Sequence, residues 1–463
     1  MTPRDKYPSK KYHFMAIGGI GQSALAKMLL EKGYTVSGSD ISESKYLNKL
    51  KDLGAKVFIG HKPENVPQDA KVVLSTAISQ DNPELMRAKQ LGLEIIHRSD
   101  MLKILSDDYD KFIGFSGTHG KTTTSGFCAY ILEKAGLNPS FAIGGIVPEV
   151  TTNAKANNAS PYFVAELDES DGTILKYSPC LTVINNLEAD HFDFFKDGLT
   201  QVLNTFNTYI DNLKPDAKVV VNMDDEGVRR LKKYSEFLTF SLKNKEADYF
   251  ADNIEYFSCG SSFEVYSKGK PAGRLEISLP GVHNIYNALA VFAALAELGI
   301  PFGQIAPYFK TFTGMGRRFQ LVAEFNDIKI IDDYAHHPTE ILATLKATRQ
   351  YTKNRVVAIF QPHRYTRFQG LWNEFLNAFE NSDLLIVTDV YAAGEKAVEG
   401  YTSKDFVSQI KHGNSVHITG GIKEAGKEIS KLLKPADTVL TFGAGDITKM
   451  GEILNECHIS KIS

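Results

Sequence analysis

Short apolar runs separated by amphipathic stretches recur along the whole chain. In the first hundred residues, strand-like runs fall at 12–17, 34–38, 55–59 and 72–76, with helical patterns between them at 23–31 and 82–91. Alternation of this kind predicts a parallel sheet with helices on its faces. The polar run Ser106-Asp107-Asp108-Tyr109-Asp110-Lys111 reads as a linker. Beyond it, strands are predicted at 162–166, 181–185 and 218–221, then short alternating strands over 247–279 and a long helix from Pro280-Gly281 to Leu298. The Thr- and Gly-rich segment 311–316 reads as a second hinge, and the last block alternates again, with strands at 328–332, 355–360, 384–389 and 437–442.

The length of 463 residues fits three such blocks. A net charge of −3 gives no broad positive field, which argues against nucleic acid as the main partner. The four cysteines, Cys128, Cys180, Cys259 and Cys457, suit neither a zinc site nor a disulfide framework, so free thiols and a reducing cytoplasm are expected. Residues 1–12 are polar and basic and do not read as a signal peptide. The longest apolar stretch, 288–300, is broken by Glu297 and is shorter than the roughly 20 residues of a membrane span.

The chemistry begins after the apolar run 111–116, where Gly117-Thr118-His119-Gly120-Lys121-Thr122-Thr123 stands before a helical pattern. The strict Walker pattern places glycine where this chain has Phe115. The shorter pattern keeps the essential parts: glycines that let backbone approach phosphate, a lysine for its charge and a hydroxyl for magnesium. ATP or GTP is therefore the expected ligand. Two further strands end in carboxylates and an imidazole, Glu166-Leu167-Asp168-Glu169-Ser170-Asp171 and Asn186-Leu187-Glu188-Ala189-Asp190-His191. Ligands of open parallel sheets sit at the carboxyl ends of strands, so these groups are expected beside the phosphate loop, suited to magnesium.

An earlier loop, Gly18-Gly19-Ile20-Gly21-Gln22-Ser23-Ala24, also follows a strand, and Asp40 ends the next one. Read literally this is a dinucleotide fingerprint, although any pyrophosphate suits such a helix N-terminus. In the last block, Asp332-Asp333-Tyr334-Ala335-His336-His337-Pro338 and Gln361-Pro362-His363-Arg364-Tyr365-Thr366-Arg367 each follow a strand. Their arginines suit carboxylate or phosphate, and the paired histidines read as hydrogen-bonding groups rather than a metal site. Gly316-Arg317-Arg318-Phe319-Gln320 sets two arginines at the second hinge.

Taken together, these motifs resemble the Mur ligases of peptidoglycan synthesis over nearly the whole chain, with further matches in Ser-Thr-Ala-Ile at 75–78, Asp81-Asn82-Pro83-Glu84, Pro-Gly-Val-His-Asn at 280–284 and Gly-Ala-Gly-Asp-Ile at 443–447. The resemblance implies an α/β fold of three domains: a Rossmann-like UDP-sugar domain at 1–107, a central P-loop ATPase-like domain at 108–316, and a Rossmann-like domain for the amino acid and for closing on ATP at 317–463. Within the family, the motifs most resemble the members that use ATP to join L-alanine to UDP-N-acetylmuramate through an acyl phosphate. ATP and magnesium are the implied cofactors, a cytoplasmic location follows, and no nucleic acid or membrane partner is implied.

Carried over by motif, Gly117, Thr118, His119, Gly120, Lys121, Thr122 and Thr123 hold the ATP phosphates, Asn284 and Asn287 meet the adenine, and Arg318 and Asp333 also contact the nucleotide. Thr122, Glu166 and His191 are the implied metal ligands. Gly19, Gly21, Ser23, Asp40, His61 and Ser75 form the implied UDP site. Tyr334, His337 and Arg364 lie on the amino-acid side, and Lys121, His191, Arg318, His363 and Arg367 are the implied catalytic set. Several relatives carry a carbamylated lysine a short way beyond the position of His191; Thr205 and Phe206 stand there instead, in keeping with the alanine-adding members. Position 335 is Ala where Gly is expected. A murein tripeptide recycling ligase is the alternative within the family, and an NAD-dependent dehydrogenase or a nucleotide switch the alternatives outside it.

Overall fold

A computed structural model describes residues 10–192, 194–257 and 260–462. The expectations for most of residues 1–12 and for Cys259 lie outside that set. The described parts of Met1–Asn186, Leu203–Phe240 and Ala290–Tyr308 pack as one compact unit, and those of Leu187–Val202, Ser241–Leu289 and Phe309–Ser463 as a second.

The first unit contains a five-stranded sheet in the order Lys56–Ile59, Thr35–Asp40, Lys11–Met15, Lys71–Leu74, Ile95–His97, parallel throughout. Four of the five residues of Lys11–Met15 are buried, as a central strand covered on both faces requires. The helix Ile20–Glu31 follows this strand directly. In the same unit a second sheet runs in the order Leu238–Ser241, Lys218–Asn222, Leu181–Ile184, Lys111–Ser116, Tyr162–Glu166, Ser140–Val147, Thr152–Lys155. Its pairs are parallel except at Ser140–Val147 with Thr152–Lys155. Lys111–Ser116 is central, and the helix Lys121–Lys134 springs from its end.

In the second unit, Tyr249–Phe257, Gly260–Ser267 and Lys270–Ile277 form antiparallel pairs. The last sheet runs in the order Gln320–Phe325, Ile328–Asp333, Thr438–Phe442, Val356–Phe360, Leu384–Thr388, Ser415–Ile418, antiparallel only at its first pair. Its side chains alternate between two cores. Val356, Ala358 and Phe360 join Phe368, Trp372, Phe375 and Phe406 on one face, while Val357 and Ile359 join Ile386, Val439 and Leu454 on the other. The period of two along a strand puts successive residues on opposite faces, so a sheet buried on both sides needs an unbroken apolar run, and Val-Val-Ala-Ile-Phe is one.

The predicted strands of all three blocks are present, as are the helices Pro83–Gln90 and Val282–Glu297. Several strands were not anticipated. Ser140–Val147 contains two glycines, and Gln320–Phe325 is a largely exposed edge. Ile95–His97 and Ser415–Ile418 are short edges that are only partly buried. None carries the long apolar run that marks a central strand. The segment 311–316 has neither helix nor strand. Cys128, Cys180 and Cys457 are free thiols, and among the described residues no helix is long and apolar enough to cross a membrane.

One polar group ties the first sheet together. Glu84 is fully buried and accepts from Asn65 Nδ2 at 2.6 Å, from the Lys62 N–H at 3.2 Å and from the Ser39 hydroxyl, with His61 Nδ1 at 3.2 Å and His13 Nε2 at 3.6 Å. Burial alone raises a carboxyl pKa, but the hydrogen bonds from these partners outweigh it and bring Glu84 down to about 2 from an ordinary 4.5. A carboxylate depressed in the folded state stabilises the fold above its unfolded pKa and loses that contribution as pH falls through the folded one. The stability contributed by Glu84 is therefore complete above about pH 4.5 and lost towards pH 2. Melting curves of the wild type and Glu84→Gln should differ most at neutral pH and converge as the pH is lowered through that window; a gap that stays constant would contradict the assignment.

Candidate active site

The phosphate loop is shaped by its neighbour in the sheet. Lys111–Ser116 pairs in parallel with Leu181–Ile184, so Asn185 and Asn186, which follow the second strand, lie beside the loop. Asn186 binds it with both backbone and side chain: its carbonyl accepts from the Thr118 N–H at 2.9 Å, its Oδ1 from the His119 N–H at 2.7 Å, and its Nδ2 donates to the His119 carbonyl at 3.1 Å. Asn185 Nδ2 donates to Thr124 Oγ1 at 3.2 Å. The approach is close enough to dictate sequence. A Cβ on Gly117 would stand 2.8 Å from the Asn186 carbonyl oxygen, and Gly117 has φ +116°. Gly120 turns into the helix at φ 82°, a region that glycine enters without steric cost.

Lys121 opens the helix, and its Nζ folds back over the loop to donate to the carbonyls of Gly117 at 2.7 Å and Thr118 at 3.0 Å and to Glu169 Oε1 at 3.0 Å. Burial opposes the charge on this amine, but Glu169, Asp168 and Glu166 outweigh burial and raise its pKa. Burial pushes Glu169 up to about 7, against the pull of Lys121. One residue further, Thr122 Oγ1 donates to Glu166, with its carboxylate oxygens at 3.0 and 2.9 Å, and Glu166 Oε2 also accepts from the Gly144 N–H at 2.9 Å. A hydroxyl and a carboxylate converging in this way form a hard-oxygen donor pair of the kind magnesium uses beside phosphates. Thr123 is buried on the same helix.

The first glycine loop differs in detail from the literal fingerprint. Asp40 Oδ2 accepts from the Gly18 N–H at 2.9 Å, so the acid holds the turn itself. Ser23 is buried with its hydroxyl donating to the Ile20 carbonyl at 3.1 Å, and the Gly19 carbonyl accepts from the Ser23 N–H. At Gly21 a Cβ would lie 3.2 Å from Arg98 Nη1, which places a guanidinium over this loop. Its nearest carboxylates, Asp168 and Asp171, are each 3.9 Å away. Sequence inspection missed Arg98 because it stands alone at the start of the helix Arg98–Ser106 with no motif around it. His61 Nδ1 sits 2.9 Å from Ser39 Oγ, and Ser75 is half-buried after the strand Lys71–Leu74.

In the second unit, residues from three segments gather around a buried carboxylate. Asp190 is 4% exposed and meets Arg367 Nε at 3.2 Å and His191 Nε2 at 3.7 Å. Burial raises its pKa, but Arg367, His191, His337 and His336 override that and hold it well below the usual carboxylate range. His336, half-buried beside Arg367, is lowered to about 3 and is neutral, with Nδ1 3.0 Å from the Tyr334 carbonyl. His337 caps the helix Pro338–Tyr351 by accepting from the Thr339 N–H at 3.4 Å. Burial and the two nearby arginines, Arg367 and Arg364, lower His363 to about 4. Its ring stacks on Tyr391, with centroids 5.5 Å apart and planes 8° apart.

Asp333 is buried and accepts from the Ala335 N–H at 2.8 Å and the Phe319 N–H at 3.0 Å; burial raises it to about 6 despite Arg318. Arg317 pairs with Asp332 at 3.0 Å and Arg318 with Glu340 at 3.4 Å, and both guanidiniums lie near the Tyr334 ring, at 4.8 and 5.3 Å from its centroid. Asn284 and Asn287 share a buried helix face, with Asn287 Nδ2 donating to Asn284 Oδ1 at 3.1 Å. Arg364 pairs with Glu395 at 2.6 Å. His191, Arg317, Phe319 and Arg364 all have positive φ, at 53°, 62°, 51° and 70°.

A phosphate loop at the end of a central parallel strand, with lysine, threonine and an opposed carboxylate, defines a nucleoside-triphosphate-binding α/β protein. Residues 11–110 match the description "Mur ligase family, catalytic domain", residues 115–295 "Mur ligase middle domain" and residues 317–445 "Mur ligase, glutamate ligase domain". The chain belongs to the Mur ligase family, and its fold is the three-domain α/β fold of that family. It is 41% identical to the UDP-N-acetylmuramate–L-alanine ligase of Geotalea uraniireducens (strain Rf4) over 454 residues, covering 96% of this chain and 98% of that one. It is 43% identical to the ligase of the same name from Pelotomaculum thermopropionicum over 443 residues, 95% of each chain. The crystal structure of UDP-N-acetylmuramate–alanine ligase from Thermotoga maritima matches with a TM-score of 0.81 at 29% identity, covering 97% of this chain and 99% of that one.

Two substitutions separate the shape of the phosphate loop from its chemistry. Gly117→Ala should abolish nucleotide binding, because the added Cβ meets the Asn186 backbone. Asn186→Ala should weaken ATP binding by about tenfold or more through loss of the loop tethers while Lys121 and Thr122 remain. Calorimetric titration with a non-hydrolysable ATP analogue checks both, and wild-type affinity in Gly117→Ala would contradict the geometry.

Proposed function

We propose that this protein uses ATP to join L-alanine to the lactyl carboxylate of UDP-N-acetylmuramate in peptidoglycan synthesis. The observation that carries the proposal is the phosphate loop with its lysine and hydroxyl–carboxylate pair, in a chain similar along nearly its whole length to ligases of that name. A carboxylate acylates an amine poorly because oxide is a poor leaving group. Transfer of the terminal phosphoryl group of ATP to one carboxylate oxygen gives an acyl phosphate and ADP. Attack by the amine of L-alanine then forms the amide and releases phosphate.

The residues divide accordingly. Gly117, Thr118, His119, Gly120 and Thr123 shape the phosphate cradle, and Lys121 supplies its charge. The lysine exchanges the loop carbonyls and Glu169 for phosphate oxygens. Thr122 and Glu166 would hold magnesium, with His191 as a further ligand; when bound, the ion neutralises phosphate charge. Asn284 and Asn287 meet the adenine, and Asp333 holds the turn that carries Arg318. Arg318 and Arg367 stabilise the charge that develops on the transferred phosphoryl group and the carboxylate. His363 is neutral, and its buried Nδ1 has no hydrogen-bond partner among the described residues, which suits it to accept from the alanine amine and orient it. Tyr334, His337 and Arg364 lie on the amino-acid side. Gly19, Gly21, Ser23, Asp40, His61 and Ser75 form the UDP site.

The domain ranges that go with these roles are 1–107, 108–316 and 317–463, and the location is the cytoplasm. The string Gln361-Pro362-His363-Arg364-Tyr365-Thr366-Arg367 resembles the alanine-adding members of the family, and that resemblance favours a single amino acid over a ready-made peptide as the acceptor amine.

Phosphate release with UDP-N-acetylmuramate should require L-alanine, and free tripeptide should not replace it. Glycine and serine should react more slowly, since a methyl group discriminates by only about 1–3 kcal/mol. Release that ignores the amino acid would contradict the ligase reading. Lys121→Ala should lower turnover by about a hundredfold or more while UDP-N-acetylmuramate binding, followed by calorimetry, stays near wild type; loss of that binding would contradict the division of roles.

A further inference from the structure

Arg364 combines an unfavourable backbone with an engaged side chain. Its φ of 70° lies where non-glycine residues are rare, and its backbone is held on both sides: the N–H donates to the Tyr391 carbonyl at 2.9 Å and the carbonyl accepts from the Phe368 N–H at 3.1 Å. The Tyr391 N–H in turn donates to the Pro362 carbonyl at 2.8 Å. The segment that follows the strand Leu384–Thr388 is thus clipped along residues 362–364. It then reverses through Ala393 and Gly394, both at positive φ, and returns Glu395 to the same place. The Glu395 carboxylate accepts from Arg364 Nε at 2.6 Å, from Thr366 Oγ1 at 2.8 Å and from the Thr366 N–H at 3.0 Å.

Fixing Nε of a guanidinium fixes the plane of the whole fork, and so the direction of the Nη nitrogens that grip a carboxylate. A segment built only to close the surface has no need of an acid that reaches back to an arginine in a strained conformation. The charge of Glu395 persists at neutral pH. Burial raises its pKa, but the Thr366 and Arg364 hydrogen bonds bring it below the ordinary carboxylate range.

We propose that Glu395 is a positioning residue that aims Arg364 at the carboxylate of the incoming amino acid. The proposal rests on the reading of Arg364 as an amino-acid contact. Removing the Glu395 charge therefore impairs amino-acid capture and leaves the two nucleotide substrates untouched, because the carboxylate acts on the reaction only through Arg364.

The test is steady-state kinetics on Glu395→Gln, Arg364→Ala and the double variant, varying L-alanine, ATP and UDP-N-acetylmuramate in turn. Glu395→Gln should raise KM for L-alanine by about tenfold or more, as expected for loss of a charge-assisted hydrogen bond, with the other two KM values within about twofold. The double variant should be no worse than Arg364→Ala alone. If Arg364→Ala raises KM for L-alanine and Glu395→Gln does not, the positioning role is overturned while the amino-acid site stands. If Arg364→Ala leaves that KM unchanged, the reading of the site falls and the proposal with it. A fall in kcat/KM of Glu395→Gln that is equal for all three substrates, with a lowered Tm, would reduce Glu395 to a structural cap and also overturn the proposal.

Discussion

The close approach of Asn186 to the loop at Gly117 is the constraint on which the rest of the structure depends. A parallel strand pair sets where Asn185 and Asn186 emerge, and three hydrogen bonds from Asn186 fix the loop against them. Glycine at position 117 is then required by space as well as by backbone angle. With the loop fixed, Lys121 and Thr122 leave the first turn of the helix in directions set by the backbone. Glu166 meets the threonine because its own strand pairs on the other side of Lys111–Ser116. The geometry of the phosphate loop is thereby built on strand register rather than on flexible side chains.

The lysine charge of the loop region is compensated locally. Lys121 is half-buried and rests on loop carbonyls and Glu169. A buried amine left without acceptors would be costly, and three acceptors within 3.0 Å remove that cost. The same logic governs the second unit, where Asp190 offsets Arg367. His336 and His363, both lowered by burial, leave the arginines beside them as positive groups, which suits a reaction whose charge builds on phosphoryl and carboxylate oxygens.

Much of this was legible in the residues. Central strands such as Val356–Phe360 announce themselves because both faces are buried, and the motifs at strand ends follow from the rule that places ligands there. Edges such as Gln320–Phe325 carry no such signal, since exposure removes the apolar pattern that reveals a strand. Among site residues, Lys121 and Thr122 could be found because local spacing fixes them, and Glu166 because it ends a strand. Glu84, Arg98 and Glu395 could not. Each acts across more than twenty residues of sequence, on His61, on the Gly21 loop and on Arg364, and only the fold shows who the partner is. Asp40 could be found from the fingerprint spacing, but its hold on the Gly18 N–H shows only in the fold.

The central claim is that the terminal phosphoryl group of ATP passes through the carboxylate of the sugar nucleotide. Mass spectrometry of the phosphate released from UDP-N-acetylmuramate labelled with oxygen-18 in its lactyl carboxylate tests it directly. Activation through an acyl phosphate predicts that one labelled oxygen appears in the phosphate. Unlabelled phosphate, formed while the amide accumulates, would contradict the account.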